Sequence, residues 1–373
     1  MSKILVTGGA GFIGSHLVDA LLLRGHEVRV LDALVPQVHG TEAKWPGWLP
    51  QEVEKIQGDV RDPSVWSQAL AGMEVVYHLA AEVGVGQSMY EITRYMNANT
   101  MGTANLLELL TRGDHSVQKL IVASSMSIYG EGAYRTSDGE TVYPLLRSPE
   151  RLAERQWEMF DSSSGEPLIP IPTAEDKPLY PTSIYAISKR DQEEMCLAVG
   201  RAYNIPATAL RLFNVYGPRQ ALSNPYTGVA AIFSSRLLNG KPPLIFEDGL
   251  QSRDFVHVKD VAQALLLSME REEANYEIIN IGTGRRITIL EIAEALIREL
   301  KVAVEPQILN QYREGDIRHC FADISKARFL LGYQPTVMFE DGVGGLVEWV
   351  RQQTSEDRVE TATAELTARG LTH

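Results

Sequence analysis

Tyr185 and Lys189 stand four residues apart, a spacing that puts a phenol and an ammonium on one face of a helix. Tyr185 is the one tyrosine of 14 with a lysine at that distance. A free phenol titrates at about 10 and a neighbouring cation favours its anion, so the pair is the raw material of a general base. Bringing it to neutrality takes roughly 4 kcal/mol, within reach of Lys189 and a second cation acting together in a dry cleft. Ser124, Ser125 and Ser127 close an apolar run from Lys119 and could hydrogen-bond a substrate hydroxyl. An ordinary polar turn, or a solvated helix face with a chance Tyr and Lys, would use the same residue types.

A base of this kind needs a partner that takes hydride, and the start of the chain offers a place for one. Lys3-Ile4-Leu5-Val6-Thr7 reads as a strand, Gly8-Gly9-Ala10-Gly11-Phe12-Ile13-Gly14 as a glycine turn, and the residues from Ser15 as a helix. Glycines let the backbone approach a pyrophosphate, and the helix N-terminus offers free N–H groups and a positive dipole end. A second strand, Glu27-Val28-Arg29-Val30-Leu31, ends at Asp32, eighteen residues after Gly14. An acid there accepts from an adenosine ribose and repels a 2′-phosphate, which favours NAD over NADP. A glycine-rich turn without a ligand would carry no such acid in register.

Further strand and helix signals alternate: strands at 53–59, 74–81 and 119–125, helices at 65–71 and 97–111. Near-continuous apolar strands between helices predict a doubly wound parallel α/β sheet with ligands at the strand C-terminal ends. From 131 to 181 the alternation stops in a proline-rich stretch (Pro144, Pro149, Pro167, Pro170, Pro172, Pro178, Pro181) with one helical segment at 149–160. Such a loop is read as an inserted lid or interface arm. A helix at 183–203, a strand at 207–213, a helix at 256–269, a strand at 277–281 and an amphipathic helix at 290–300 follow. The residues after Val350 are polar and read as a fraying tail.

The formal charge of −13 argues against a nucleic-acid surface, so any anionic ligand needs local cations and helix ends. No run approaches eighteen apolar residues and no charged leader precedes the first strand, which argues against membrane insertion and secretion. Two cysteines, Cys196 and Cys320, make neither a disulfide framework nor a metal site and fit a cytoplasmic setting.

The glycine turn from Thr7, His78-Leu79-Ala80-Ala81, Ser124-Ser125-Met126-Ser127-Ile128-Tyr129-Gly130, Tyr185-x-x-x-Lys189 and Arg211-Leu212-Phe213-Asn214-Val215-Tyr216-Gly217-Pro218-Arg219 together resemble the extended short-chain dehydrogenase/reductase family, and within it the nucleoside-diphosphate-sugar 4-epimerases. The resemblance runs from residue 1 to about 350. It implies a Rossmann-type sheet with a smaller C-terminal α/β substrate lobe. The expected parts are an NAD domain at 1–216, with the 131–181 insert and a return at 254–272, a nucleotide-sugar lobe at 217–253 and 273–350, and a polar tail at 351–373.

It further implies Ser125, Tyr185 and Lys189 as catalytic residues. NAD contacts would come from Gly8, Gly11, Phe12, Ile13, Gly14, Asp32, Asp59, Val60, Leu79, Ala80, Ala81, Asn99, Ser124, Tyr185 and Lys189. Ser125, Ser127, Asn214, Arg219, Arg253, Asp316 and Arg318 would bind the nucleotide sugar, with no metal and with a homodimer formed through the 97–111 and 183–203 helices. Independently, Arg219, Arg253 and Arg318 could supply the cations that a diphosphate needs.

Gly130 and Tyr185 are 55 residues apart, far more than is usual in the family, and the insert is similar to that of the dTDP-L-rhamnose 4-epimerase subgroup. Met126-Ser127 stands where the related dehydratases carry an Asp-Glu pair, which speaks against dehydration. The competing readings are a net oxidoreductase such as a 4-ketoreductase, and a nucleotide-sensing protein without catalysis.

Overall fold

The computed structural model describes residues 1–373 except Ser223, Pro225, Thr227, residues 354–356 and Arg358. In chain order its main elements are β1 (Lys3–Thr7), α1 (Phe12–Leu23), β2 (Glu27–Asp32), β3 (Glu54–Gln57), α2 (Pro63–Leu70), β4 (Val75–His78), α3 (Gly102–Thr111), β5 (Lys119–Ser125), α4 (Ile184–Tyr203), β6 (Ala207–Leu212), α5 (Val229–Leu238), α6 (Val258–Glu270), β7 (Ile278–Ile281), α7 (Ile289–Leu300), α8 (Phe339–Arg351) and α9 (Val359–Ala368). The seven strands form one parallel sheet in the order β7-β6-β5-β4-β1-β2-β3. The order reverses between β1 and β4, so the crevice for a ligand opens at their C-terminal ends.

Period-two alternation explains why both faces are covered. Ile4, Val6, Ile121 and Ala123 point to the side held by α1 and α6 (Leu17, Leu21, Val261, Leu265). Leu5, Leu120 and Val122 point to the side held by α2, α3 and α4 (Trp66, Leu106, Leu110, Leu197). Each such side chain contributes roughly 1.5–3 kcal/mol by leaving water. A separate core of α5, α7 and α8 around Ile245, Phe255 and Phe339 builds the second lobe. There α7 starts in a capping box, Thr288 Oγ1 accepting from Glu291 N at 3.2 Å while Glu291 Oε2 accepts from Thr288 N at 2.8 Å.

Four expectations are corrected. The return to the sheet domain runs past 272, because β7 pairs with β6. The helix expected at 97–111 begins as a wider π turn, Met96–Met101, before α3. The insert is no loose loop: Ala133–Arg135, Thr141–Val142 and Ile169–Ile171 form a three-stranded antiparallel sheet, and its helix spans only Pro149–Ala153. Finally, the stretch read as a fraying tail contains α9, whose Ala362 and Leu366 are buried.

Candidate active site

The glycine turn is shaped by one left-handed residue and one close approach. Gly8 takes φ +68°, and a β-carbon on Gly14 would collide with the Gly8 carbonyl. Gly11 caps α1 without a side chain, so the first N–H groups of the helix keep no intrahelical acceptor and face the space in front of them. Thr7 Oγ1 accepts from Leu79 N and Ala80 N, both at 3.1 Å, and ties the ends of β1 and β4 together under the turn. Asp32 Oδ2 accepts from Ala10 N at 3.0 Å and Oδ1 from Leu34 N at 2.9 Å, with His39 Nε2 3.7 Å away. Gly8, Gly11, Gly14, Asp32, His39, Leu79 and Ala80 line a cavity of about 470 Å³.

Three buried polar atoms on its wall, Ser124 Oγ, Asn214 Oδ1 and Gln220 Oε1, have no protein partner among the described residues. Unpaired buried oxygens, a glycine cradle and an acid at the second strand end are the complement of a dinucleotide.

Ser125, Tyr185 and Lys189 line the same cavity. Ser183 caps α4 by accepting from Ala186 N at 3.1 Å, and that start aims Tyr185 at the end of β5. Ser125 Oγ accepts from Ser127 N at 3.2 Å and Ser127 Oγ at 2.9 Å. Burial pushes the Tyr185 phenol up, and its hydrogen bond with Ser125 pulls it part of the way back. Lys189 Nζ donates to Gln192 Oε1 at 2.6 Å, and burial brings the ammonium down to about 8. Gln192 Nε2 donates to Thr103 Oγ1 at 2.9 Å and lies 3.3 Å from His78 Nε2. His78, held down to about 3 by burial and then by Lys189, is a neutral link to Thr7 Oγ1 at 3.0 Å.

The protein alone therefore raises the phenol instead of lowering it. A buried anion without a counter-charge is costly, and Lys189 is engaged one turn further along the helix.

A second cavity of about 320 Å³ adjoins the first across Met126, Ser127, Asn214, Tyr226, Gly228 and Val229. Its far end holds Phe246, Gln251, Arg253, Arg313 and Asp316. Arg253 donates only to carbonyls, Ser252 O at 2.8 Å, Arg318 O at 2.9 Å and Ile317 O at 2.6 Å, and has no carboxylate partner among the described residues. A guanidinium so held keeps its full charge for an anion. Arg313 stacks over the Phe246 ring at 4.6 Å while pairing with Asp316 at 2.8 Å.

A family model described as the NAD dependent epimerase/dehydratase family matches residues 4–150 and 158–282. The chain belongs to the NAD dependent epimerase/dehydratase family. A dTDP-L-rhamnose 4-epimerase of Burkholderia thailandensis is 37% identical over 353 residues, 94% of this chain and 95% of its own. A UDP-glucose 4-epimerase of Mycolicibacterium smegmatis is 32% identical over 360 residues, 94% of this chain and 99% of its own. Among solved structures, a UDP-glucuronic acid 4-epimerase from Bacillus cereus in complex with UDP-glucuronic acid and NAD is 30% identical with a TM-score of 0.75, covering 94% and 99% of the two chains. The coenzyme of this epimerase/dehydratase chain is NAD.

Seen as an epimerase/dehydratase site, the two cavities take in most of the residues expected from sequence. Gly8, Gly11, Phe12, Ile13, Gly14, Asp32, Asp59, Val60, Leu79, Ala80, Ala81 and Ser124 line the first, and Ser127 and Asn214 line both. Three expected contacts lie elsewhere. Asn99 is buried and holds the backbone of Glu82, accepting from its N at 2.7 Å and donating to its O at 3.1 Å. It thus supports the wall from behind. Arg219 pairs with Asp19 at 2.7 Å and lines neither cavity. Arg318 is fully buried among Glu158, Glu247 and Asp248, and so has no charge to spare for a diphosphate.

Its network explains the insert. Arg147 pairs with Glu247 at 2.8 Å and donates to Asp316 O at 3.1 Å, while Glu131 accepts from the backbone N–H of Arg318 and His319, both at 2.7 Å. The insert buttresses the turn that carries Arg313 and Asp316.

Sequence reading missed Arg313, Gln192 and α9. The Arg-x-x-Asp spacing before Asp316 was a signal for the first. Gln192, three residues beyond Lys189 on one helix face, was a weaker one.

Proposed function

We propose that this NAD-dependent enzyme inverts C4 of a nucleoside-diphosphate sugar through a transient 4-keto sugar, with dTDP-L-rhamnose or a similar uncharged 6-deoxyhexose as its sugar. One observation carries the reading: a glycine-cradled cavity bearing Ser125, Tyr185 and Lys189 opens directly into a second cavity whose far end carries an uncompensated Arg253. Tyr185 Oη takes the proton of the sugar 4-hydroxyl, and Ser125 steadies it in transit. Lys189, held by Gln192, would hold the nicotinamide ribose of bound NAD and supply the positive charge that the raised phenol lacks. The chemistry that bound NAD supplies is reversible hydride exchange with C4. The protein's remaining task is to keep the ketone in place while it turns over, with water excluded.

The sugar assignment is supported by the junction of the two cavities, where Val85, Met126, Ser127, Asn214, Tyr226, Gly228 and Val229 include no cation to pair with a uronate. The relative named for dTDP-L-rhamnose supports the same choice. Exposed Ile92, Met101 and Ile187 on neighbouring helices support a homodimer through the 97–111 and 183–203 segments. The free thiols of Cys196 and Cys320 suit a reducing, cytoplasmic setting.

The test is an NMR assay of dTDP-, UDP-, GDP- and CDP-sugars for inversion at C4. Inversion of dTDP-L-rhamnose with no net build-up of reduced nicotinamide is the expected result. Stoichiometric reduction or oxidation of added coenzyme would replace this reading with a net oxidoreductase.

A further inference from the structure

We propose that residues 359–373 form the outer wall of the nucleotide-sugar cavity and that Leu366 is a specificity-determining residue of that wall. It rests on the functional reading above, since it assigns a role within the same site. Val359, Ala362, Thr363, Leu366 and Leu371 all line the second cavity. On a helix the first four fall at i, i+3, i+4 and i+7, one continuous face. That face is turned inward: Ala362 and Leu366 are each 7% exposed. Leu366 seats on Gly86, where an added β-carbon would meet its two methyl groups at 3.3 and 3.5 Å.

The segment is fastened at both ends and in the middle. Asp357, just before α9, forms a buried pair with Arg236 of α5 at 3.2 Å. In the middle, Glu365 Oε2 accepts from Tyr90 OH at 3.0 Å and Tyr226 OH at 2.9 Å, and Arg369 lies over the Tyr90 ring at 4.2 Å. At its end, Tyr312 and His373 exchange two backbone hydrogen bonds, each 2.9 Å, and Leu371 O accepts from Glu314 N at 3.1 Å. The residue enclosed by that ribbon is Arg313, which faces the nucleotide end of the cavity. The wall thus touches the first lobe at Tyr90, the shared junction at Tyr226 and the nucleotide turn at Arg313.

An apolar face at this place has a chemical use. A 4-keto sugar that escapes before hydride returns leaves the enzyme with reduced coenzyme and stops the cycle. Leu366 offers no hydrogen bond to a hydroxyl and excludes water from the sugar end, so it favours a sugar with little polarity on that side.

The experiment uses the full chain with Leu366→Asn, and Leu366→Ala as the milder change, assayed with dTDP-L-rhamnose beside UDP-glucose. The expected result is a KM for dTDP-L-rhamnose raised roughly tenfold, the equivalent of about 1.4 kcal/mol, in both variants. Bound NAD per chain stays unchanged, and reduced coenzyme accumulates on the enzyme during turnover. The surface variant Phe329→Ala, at a residue 86% exposed, keeps the parental KM. If the unaltered protein inverts C4 and both Leu366 variants match its KM and its coenzyme state, the wall is overturned and the epimerase reading stands. If the unaltered protein inverts no nucleotide sugar, the epimerase reading fails first.

Discussion

The two cavities meet at Ser127 and Asn214 but are built by different means. The coenzyme side is mostly main chain: a left-handed Gly8, a glycine at 14 that admits no β-carbon, strand ends brought together by Thr7, and one acid, Asp32. Its parts lie close together in the chain or at the ends of paired strands. The substrate side is mostly side chain, and its partners are far apart: Arg147 with Glu247, Arg318 with Glu158, Arg313 framed by residues 371–373. Parallel-strand geometry alone fixes the first. The second exists only because a network of charges holds an insert and a terminal helix against one turn. A site of the first kind suits an invariant dinucleotide, and one of the second kind can be reshaped without disturbing the sheet.

The sharpest way to separate the two halves is Tyr185→Phe. It deletes the proton acceptor and leaves the glycine cradle, so C4 inversion should fall by about 10²–10⁴-fold while copurifying NAD stays constant. Turnover within a few-fold of the parent would show that another group is the base. The next largest effect strikes the other half. Arg318→Met removes the centre of the buried network and takes the cation from Asp248, while Glu247 keeps Arg147 and Glu158 keeps His319. Breaking a buried pair costs about 3–5 kcal/mol, and with two carboxylates keeping a partner and Asp248 partly exposed this case should lie below about 3 kcal/mol in urea unfolding. KM for the nucleotide sugar should rise with NAD content unchanged; loss of NAD instead would mean that the halves are not separable. A smaller effect is expected from Asp32→Asn, which keeps one acceptor for Ala10 or Leu34 but loses the charge. NAD should bind roughly tenfold more weakly in a titration, with NADP discrimination relaxed.

The same contrast decides what could be read from the chain. The placement of Gly8 to Gly14, Asp32 and the Tyr185–Lys189 pair around one cavity was legible because short spacings are translated directly into position by strand and helix geometry. Arg253 was legible only through the family pattern around it. Arg318 was misread because a type and a neighbourhood do not reveal three distant carboxylates. The insert looked irregular since its strands are two or three residues long and prolines interrupt them. The helix at 359–368 looked polar since its inward face is made of Val, Ala, Thr and Leu, too small and mixed for an apolar period to stand out. Even the Tyr185–Lys189 pair was only half legible: the spacing placed both groups, while the partner of the ammonium, Gln192, turned out to be a neutral amide.

The smallest predicted effects fall in separate pH windows for the two halves, acid for one and alkaline for the other, which makes them diagnostic. On the substrate side, burial alone would raise the Glu158 carboxyl, but hydrogen bonds from His319 and Arg318 bring it down to about 2 from 4.5. Folding therefore prefers the ionised form, and this contribution is complete above the unfolded value and lost as pH falls through the folded one. The stability gap between the parent and Glu158→Gln should be flat above about pH 5 and close between 4.5 and about 2, modestly, because that side chain is 43% exposed to screening solvent. On the coenzyme side, burial lowers the Lys189 ammonium from 10.5 to about 8, so the unfolded chain binds more protons than the folded one between those values. Stability of the NAD-free protein should then rise with pH across that window, and Lys189→Met should remove the rise. Equal slopes in the parent and Lys189→Met would place the ammonium in solvent and overturn its burial beside Gln192.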